Sequence, residues 1–287
     1  MTSFMETLFI QRIQRLSRPL DVLKTGEVPR LKPLEDIRAV FFDIYGTCFI
    51  SDSGDIGVHT AEPRVEALTE ALREQGVELP PDLAAAALDR FYELIRHRHE
   101  DLKANGIAWP EVRILDIWEH WRREAGIHVN VPQLAIDMEC RLNPVWPMPG
   151  LLHTLEQLQA AGIRLGIVSN AQVFTPCLFP ALTRHTLADL GFTPAACIWS
   201  WTLQEAKPSP RLYPLALRAF PDLEPGQCLF VGNDMRNDIL PAAAAGMKTA
   251  LFAGDKRSLR WRREDPTVQT LQPDIVITHL AQLGECI

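Results

Sequence analysis

Ala39-Val40-Phe41-Phe42-Asp43-Ile44-Tyr45-Gly46-Thr47 is the stretch that decides how this chain folds. Residues 37–43 read as an apolar run ending on an aspartate, the pattern of a strand buried on both faces. Gly46-Thr47 then lets the chain turn. Similar runs recur at 164–168, 196–199, 228–231, 249–252 and 274–277. Helix-like segments separate them: a stripe of Leu151, Leu152, Leu155 and Leu158, a segment opening at Pro208 or Pro210, and another from about 237 to 245. Alternating strand and helix predicts an α/β fold with a doubly wound, parallel, Rossmann-like sheet. Such sheets bind ligands at the carboxyl ends of their strands.

One interval breaks the alternation. From Asp43 to Ser169 is 126 residues, where a crossover unit needs about 30. The interval reads as four helices. Val65, Leu68 and Leu72 mark the first. Asp82 is the candidate cap of the second, which carries Leu83, Ala87, Leu88, Phe91 and Leu94. Pro110 opens the third, with Trp118 and Trp121, and Pro132 opens the fourth. The expected organisation is an N-terminal helical extension at 1–36, an α/β core at 37–56 and 146–287, and a helical insert at 57–145. In the extension, Ser3 and Glu6 fit a capping box, and Met5, Leu8, Phe9, Ile13 and Leu16 form an apolar stripe. That stripe packs on its own chain or makes a homodimer contact.

Composition narrows the function. The chain has 287 residues, 47% hydrophobic and 23% charged, with a net charge of −7, which argues against a nucleic-acid partner. Six scattered cysteines form no Cys-x-x-Cys pair and read as buried thiols of a reducing compartment. No apolar run reaches the roughly 18 residues of a membrane span, and the N-terminus lacks a signal-peptide layout. A cytoplasmic protein with no membrane or nucleic-acid partner is expected.

Four predicted strand ends carry polar residues: Asp43, Ser169-Asn170, Lys207-Pro208, and Gly232-Asn233-Asp234 with Asp238. Each alone reads as a turn or a helix cap. In this order, Asp43-x-Tyr45-Gly46-Thr47, Ser169-Asn170, Lys207 and Gly232-Asn233-Asp234-x-x-x-Asp238 together resemble the haloacid dehalogenase superfamily of hydrolases. The insert resembles that family's helical cap.

The resemblance implies Asp43 as a carboxylate nucleophile, with Lys207 and Ser169 as catalytic partners. Tyr45, Gly46, Thr47, Ser169, Asn170 and Lys207 would cradle a small anionic, phosphorylated substrate. Two carboxylates about 4 Å apart repel by about 4 kcal/mol at an effective dielectric near 20. Lys207 alone does not balance Asp43, Asp234 and Asp238, so Mg²⁺ is the expected cofactor. Its implied ligands are Asp43, the Tyr45 carbonyl, Asp234 and, directly or through water, Asp238.

Tyr45 stands where phosphatases of this family usually hold a second Asp, the general acid. A phenol with a pKa of about 10 replaces a carboxyl of about 4. The Asp-x-Tyr-Gly-Thr form is that of 2-haloacid dehalogenases, which need no metal but carry Ser-Asn in the last motif. Three readings stay open: a Mg²⁺-dependent phosphohydrolase, a metal-independent dehalogenase-like hydrolase, and a weakly active or non-catalytic anion-binding protein. Asp52 and Asp55, in the Ser51-Asp52-Ser53-Gly54-Asp55-Ile56-Gly57 loop, are candidate replacement acids. Arg96, His97, Arg98 and His99 could meet an anion from the cap, and Trp146, in Asn143-Pro144-Val145-Trp146-Pro147, could line the cleft.

Overall fold

A computed structural model describes residues 3–52 and 61–287. The strands are β1 (Ala39–Phe42), β2 (Phe49–Ser51), β3 (Val145–Pro147), β4 (Arg164–Ser169), β5 (Phe192–Trp199), β6 (Cys228–Gly232), β7 (Lys248–Phe252) and β8 (Ile275–Ile277). Six of them form one sheet in the order β5-β4-β1-β6-β7-β8, all neighbours parallel. Every predicted core strand is present. All four β1 side chains are fully buried, because helices cover both faces of a parallel sheet.

The strand order places the site. From β1 the chain fills the β4–β5 side, then returns to lay β6, β7 and β8 on the other. β1 therefore pairs with β4 on one edge and β6 on the other, with Phe42 opposite both Ile167 and Val231. The carboxyl ends of these three strands meet where the connections diverge, the switch point at which such sheets bind ligands.

Before β1 lies α1 (Ser3–Leu16); between β2 and β3 come α2 (Ala61–Arg73), α3 (Pro81–Ala104), α4 (Ile114–Ala125) and α5 (Val131–Leu142). The four inserted helices are those the apolar stripes predict. Trp118 stacks on Phe91 at 3.9 Å and serves the insert's own core. Two helix starts differ from expectation. Pro80, not Asp82, is the N-cap of α3, with Asp82 in its first turn. Helix α4 begins at Ile114, not at Pro110, because residues 109–111 are drawn into backbone pairing with a core loop. Ala206 N donates to Trp109 O (2.7 Å) and Glu111 N to Gln204 O (3.0 Å).

The two linkers between core and insert also pair. β2 and β3 form an antiparallel ribbon, Ile50 opposite Trp146, so the expected return linker at 143–147 is half of a two-stranded connection. The N-terminal stripe packs on its own chain. Phe9 and Ile13 of α1 are fully buried, and α1 lies against both α5 and the core helix at Leu178–Thr183. Phe9 meets Phe174 edge-on with ring centres 6.0 Å apart. Each such apolar side chain contributes about 1.5–3 kcal/mol on burial. Among the described residues no helix is long and apolar enough to cross a membrane.

Candidate active site

Asp43 follows β1, its N–H donating to Val231 O of β6 at 2.9 Å. A tight turn comes next: Gly46 N donates to Phe49 O (2.6 Å) and Phe49 N to Ile44 O (2.9 Å). Gly46 has φ of 81°, and a Cβ there would lie 2.3 Å from the Ser258 Cβ, so no other residue fits. Thr47 Oγ1 donates to Asn233 Oδ1 at 3.0 Å, tying this turn to the end of β6.

Lys207 is the centre of the site. Its Nζ donates to Asp43 Oδ1 at 2.7 Å and to Asp238 Oδ1 at 2.6 Å, in a buried cluster. Ser169 Oγ donates to the same Asp43 oxygen at 2.9 Å. Asn170 Oδ1 accepts the Lys207 N–H (2.7 Å), which holds the lysine backbone in place. Asp238 Oδ2 accepts the N–H groups of Asn233 and Asp234, both at 3.0 Å. Gly232 permits this: a Cβ there would stand 2.5 Å from the Asp238 carboxyl. Burial alone would lower the lysine's pKa; the charges of Asp238 and Asp43 outweigh it and keep Lys207 above its ordinary value. One cation serves two carboxylates, and burial pushes the Asp238 carboxyl up against the pull of Lys207.

Asp234 faces a different cation. Arg262 donates to it from Nη2 (2.6 Å to Oδ2) and Nε (3.2 Å to Oδ1). Its Oδ1 also accepts the N–H groups of Arg236 (2.9 Å) and Asn237 (3.1 Å). The Tyr45 hydroxyl is bound to Thr175 Oγ1 at 2.9 Å, and burial raises its pKa well above the usual phenol value. That phenol stays protonated at neutral pH and is a far weaker acid than the carboxyl it replaces.

A cavity of about 300 Å³ opens over Asp43 and Lys207. The insert forms part of its wall through His99, Pro110 and Glu111, and the two linkers contribute Ser51 and Asn143. Of the charged stretch in α3, only His99 lines this cavity; Arg96 and His97 are exposed, and Arg98 bonds Gln204 Oε1 at 3.4 Å. Trp146 is not among the lining residues. Asp52 is exposed, outside the cavity wall and paired with Arg257 (3.1 Å), so it is not the replacement acid. Asp55 and the 53–57 part of the expected flap lie outside the described residues.

Residues 37–246 match the family of haloacid dehalogenase-like hydrolases. The chain belongs to that family. Curated relatives include a ribulose-1,5-bisphosphate 5-phosphatase of Halopiger xanaduensis, 26% identical over 87% of this chain and 98% of the relative. A phosphoglycolate phosphatase of Shigella boydii is 30% identical over 75% of this chain and 81% of that protein. Among solved structures, a 2-haloacid dehalogenase from Pseudomonas syringae aligns with a TM-score of 0.56 at 24% identity, over 87% of this chain and 97% of its own. A phosphatase from Thermococcus onnurineus aligns with a TM-score of 0.51 at 20% identity, over 87% and 97%. These structural likenesses speak for the fold of this hydrolase alone.

Within the hydrolase site, Arg262 and Glu111 are the residues that sequence reasoning missed. Neither sits in a motif, and no spacing signal marks either. Their partners lie elsewhere in the chain, Asp234 for Arg262 and Ser200 for Glu111. Arg262 changes the charge balance: with Lys207 it sets two positive charges against Asp43, Asp234 and Asp238. Among the described residues no three acidic, histidine or cysteine side chains are gathered as a ready cation site. Two hard oxygens nevertheless stand open, since Asp43 Oδ2 and the Tyr45 carbonyl accept no hydrogen bond among the described residues. With Asp234 they are the donor types Mg²⁺ takes. The donor set fits once Arg262 leaves Asp234; the Arg262 side chain is 28% exposed and has solvent to move into.

Proposed function

We propose that this hydrolase is a Mg²⁺-dependent phosphohydrolase that acts on a small phosphorylated metabolite through an aspartyl-phosphate. The observation that carries the reading is Asp43 at the carboxyl end of β1, held at one oxygen by Lys207 and Ser169 and open at the other. The relatives named as phosphatases support it. Asp43 Oδ2 attacks phosphorus, and the bond to the leaving oxygen breaks. Water then attacks the same phosphorus and returns Asp43 as a carboxylate. Lys207 offsets charge on the nucleophile and the transferred group, and Asp238 keeps Lys207 aimed. Asp43, the Tyr45 carbonyl and Asp234 would hold Mg²⁺, whose charge would neutralise phosphoryl oxygens. Helices α2 to α5 act as a cap over the site, joined to the core through the β2–β3 ribbon.

The test is phosphate release from a panel of aryl, acyl and alkyl phosphates. Release is expected to stop on chelation and to return with Mg²⁺. No release from aryl or acyl phosphate in Mg²⁺ would sink the proposal. Halide release from 2-haloacids that is insensitive to chelator would favour the dehalogenase-like alternative.

Arg262 leads to a separate measurement. Replacing it with Met frees Asp234 and removes a competing positive charge. A hydrogen-bonded ion pair of this kind contributes about 1.5–3 kcal/mol, so Mg²⁺ should bind the variant at least about tenfold more tightly. Calorimetric Mg²⁺ titration of both proteins reads this directly, and equal dissociation constants would show that Arg262 does not compete.

A further inference from the structure

We propose that Glu111, carried by the insert, is the general acid that protonates the leaving oxygen, a role for which the Tyr45 phenol is poorly suited. This rests on the phosphohydrolase reading and adds the proton donor it lacks. Glu111 is on the wall of the cavity that holds Asp43 and Lys207. Its position is over-determined. The backbone of residues 109–111 pairs with residues 204–206 of the core loop, and Gln172 Nε2 donates to both Val112 O (2.9 Å) and Glu111 Oε1 (3.1 Å).

Burial favours the neutral carboxyl, against hydrogen bonds from Ser200, Val112 and Gln172 that favour the charged form. Glu111 Oε1 accepts two N–H groups, from Val112 (2.9 Å) and Gln172 (3.1 Å), and so plays the carbonyl oxygen. Glu111 Oε2 is 2.9 Å from Ser200 Oγ. That hydroxyl already accepts the Ala171 N–H (2.9 Å) and lies 3.2 Å from Ala171 O. Ser200 has one proton for two acceptors. If Oε2 carries a proton, it donates to Ser200, and Ser200 donates to Ala171 O; every group is then satisfied.

The charges agree with this. Asp43 and Asp238 share Lys207, and Asp234 has Arg262. Among the described residues Glu111 has only neutral hydrogen-bond partners. Of the groups nearby, Glu205 is committed to Arg211, while His99 and Arg260 line the same cavity. Burial holds the Glu111 carboxyl up at about 7, in the range a general acid needs near neutral pH, and burial beside Lys103 keeps His99 below its ordinary value.

The step balances. Asp43 Oδ2 forms the bond to phosphorus, the bond from phosphorus to the leaving oxygen breaks, and the electron pair on that oxygen takes the Glu111 proton. In the second half the Glu111 carboxylate takes a proton from the attacking water, and the acid is restored. Ribulose bisphosphate and phosphoglycolate, named for the relatives, are alkyl phosphates. Their alkoxide leaving groups need such a donor, whereas an aryl oxide does not.

The test compares alkyl and aryl phosphates with the full-length protein and Glu111→Gln, whose amide keeps the Gln172 and Ser200 contacts. General acid catalysis is worth roughly 10²–10⁴-fold. The ratio of alkyl to aryl turnover is expected to fall about 100-fold in the variant. The donor must be protonated, so wild-type alkyl turnover falls as pH rises through about 7, and the variant loses that limb. An unchanged ratio with an unchanged pH profile, or equal loss on both esters, would overturn this inference alone. No turnover of either ester by the wild type would overturn the phosphohydrolase reading and this inference with it.

Discussion

Asp43→Asn should lower phosphate release by about 10⁴-fold or more while leaving the fold intact. The amide matches the carboxylate in shape but cannot form the acyl-phosphate bond. Lys207 keeps its second partner, Asp238, at 2.6 Å, so the variant does not strand a buried ammonium. Two measurements read this: single-turnover phosphate release, and a urea titration in which the midpoint moves little. A residual rate within tenfold of the wild type would place the nucleophile elsewhere. Loss of rate together with a collapsed midpoint would mean that Asp43 serves mainly to neutralise Lys207.

The second large effect is on stability and lies far from the chemistry. Arg12 of α1 donates from Nε to Asp137 Oδ1 (2.6 Å) and from Nη2 to Asp137 Oδ2 (2.8 Å). Asp137 is on α5 and is fully buried. Arg12 also reaches Glu74, which Arg141 engages from α5. Arg12→Met should cost about 3–5 kcal/mol, because Asp137 is left as an uncompensated buried carboxylate. Adding Asp137→Leu should restore much of the loss, since an apolar pair in place of a buried ion pair is often neutral. Chemical denaturation of the single and double variants measures both. A single-variant loss below about 1 kcal/mol would show that α1 is not integral to the fold, because exposed pairs contribute that little.

The candidate cluster was largely legible in the chain because its members are tied to strand ends. A buried parallel strand is a continuous apolar run, and its last residue faces the ligand side, so a polar residue there stands out. Asp43, Ser169, Asp234 and Asp238 were all visible in this way, and Lys207 follows its strand by a short loop. The structure brings Asp43, Ser169, Lys207 and Asp238 into direct contact and keeps Asp234 on Arg262. The apolar stripe of α1 was legible as something covered, but not what covers it. Arg12 broke the stripe with a charge whose partner is 125 residues away.

By itself the sequence determined the sheet, the inserted helices and the identity of the residues on β1, β4 and β6. Those follow from local rules: the period of buried side chains and the polar residue at a strand's end. Only the tertiary structure put Glu111 on the cavity wall and Arg262 on Asp234. Glu111 lies between Pro110 and Val112, in a stretch that reads as a helix start. It becomes extended only because the backbone of residues 109–111 pairs with that of residues 204–206. With the bond between Ser200 Oγ and Glu111 Oε2, which spans 89 residues of chain, that pairing joins insert to core. Its formation depends on two folded units meeting, and no pattern along the chain encodes that meeting. Tyr45 shows the same division. Its place in the motif is plain from the sequence, but its hydroxyl is tied to Thr175 by a contact that only the folded chain makes.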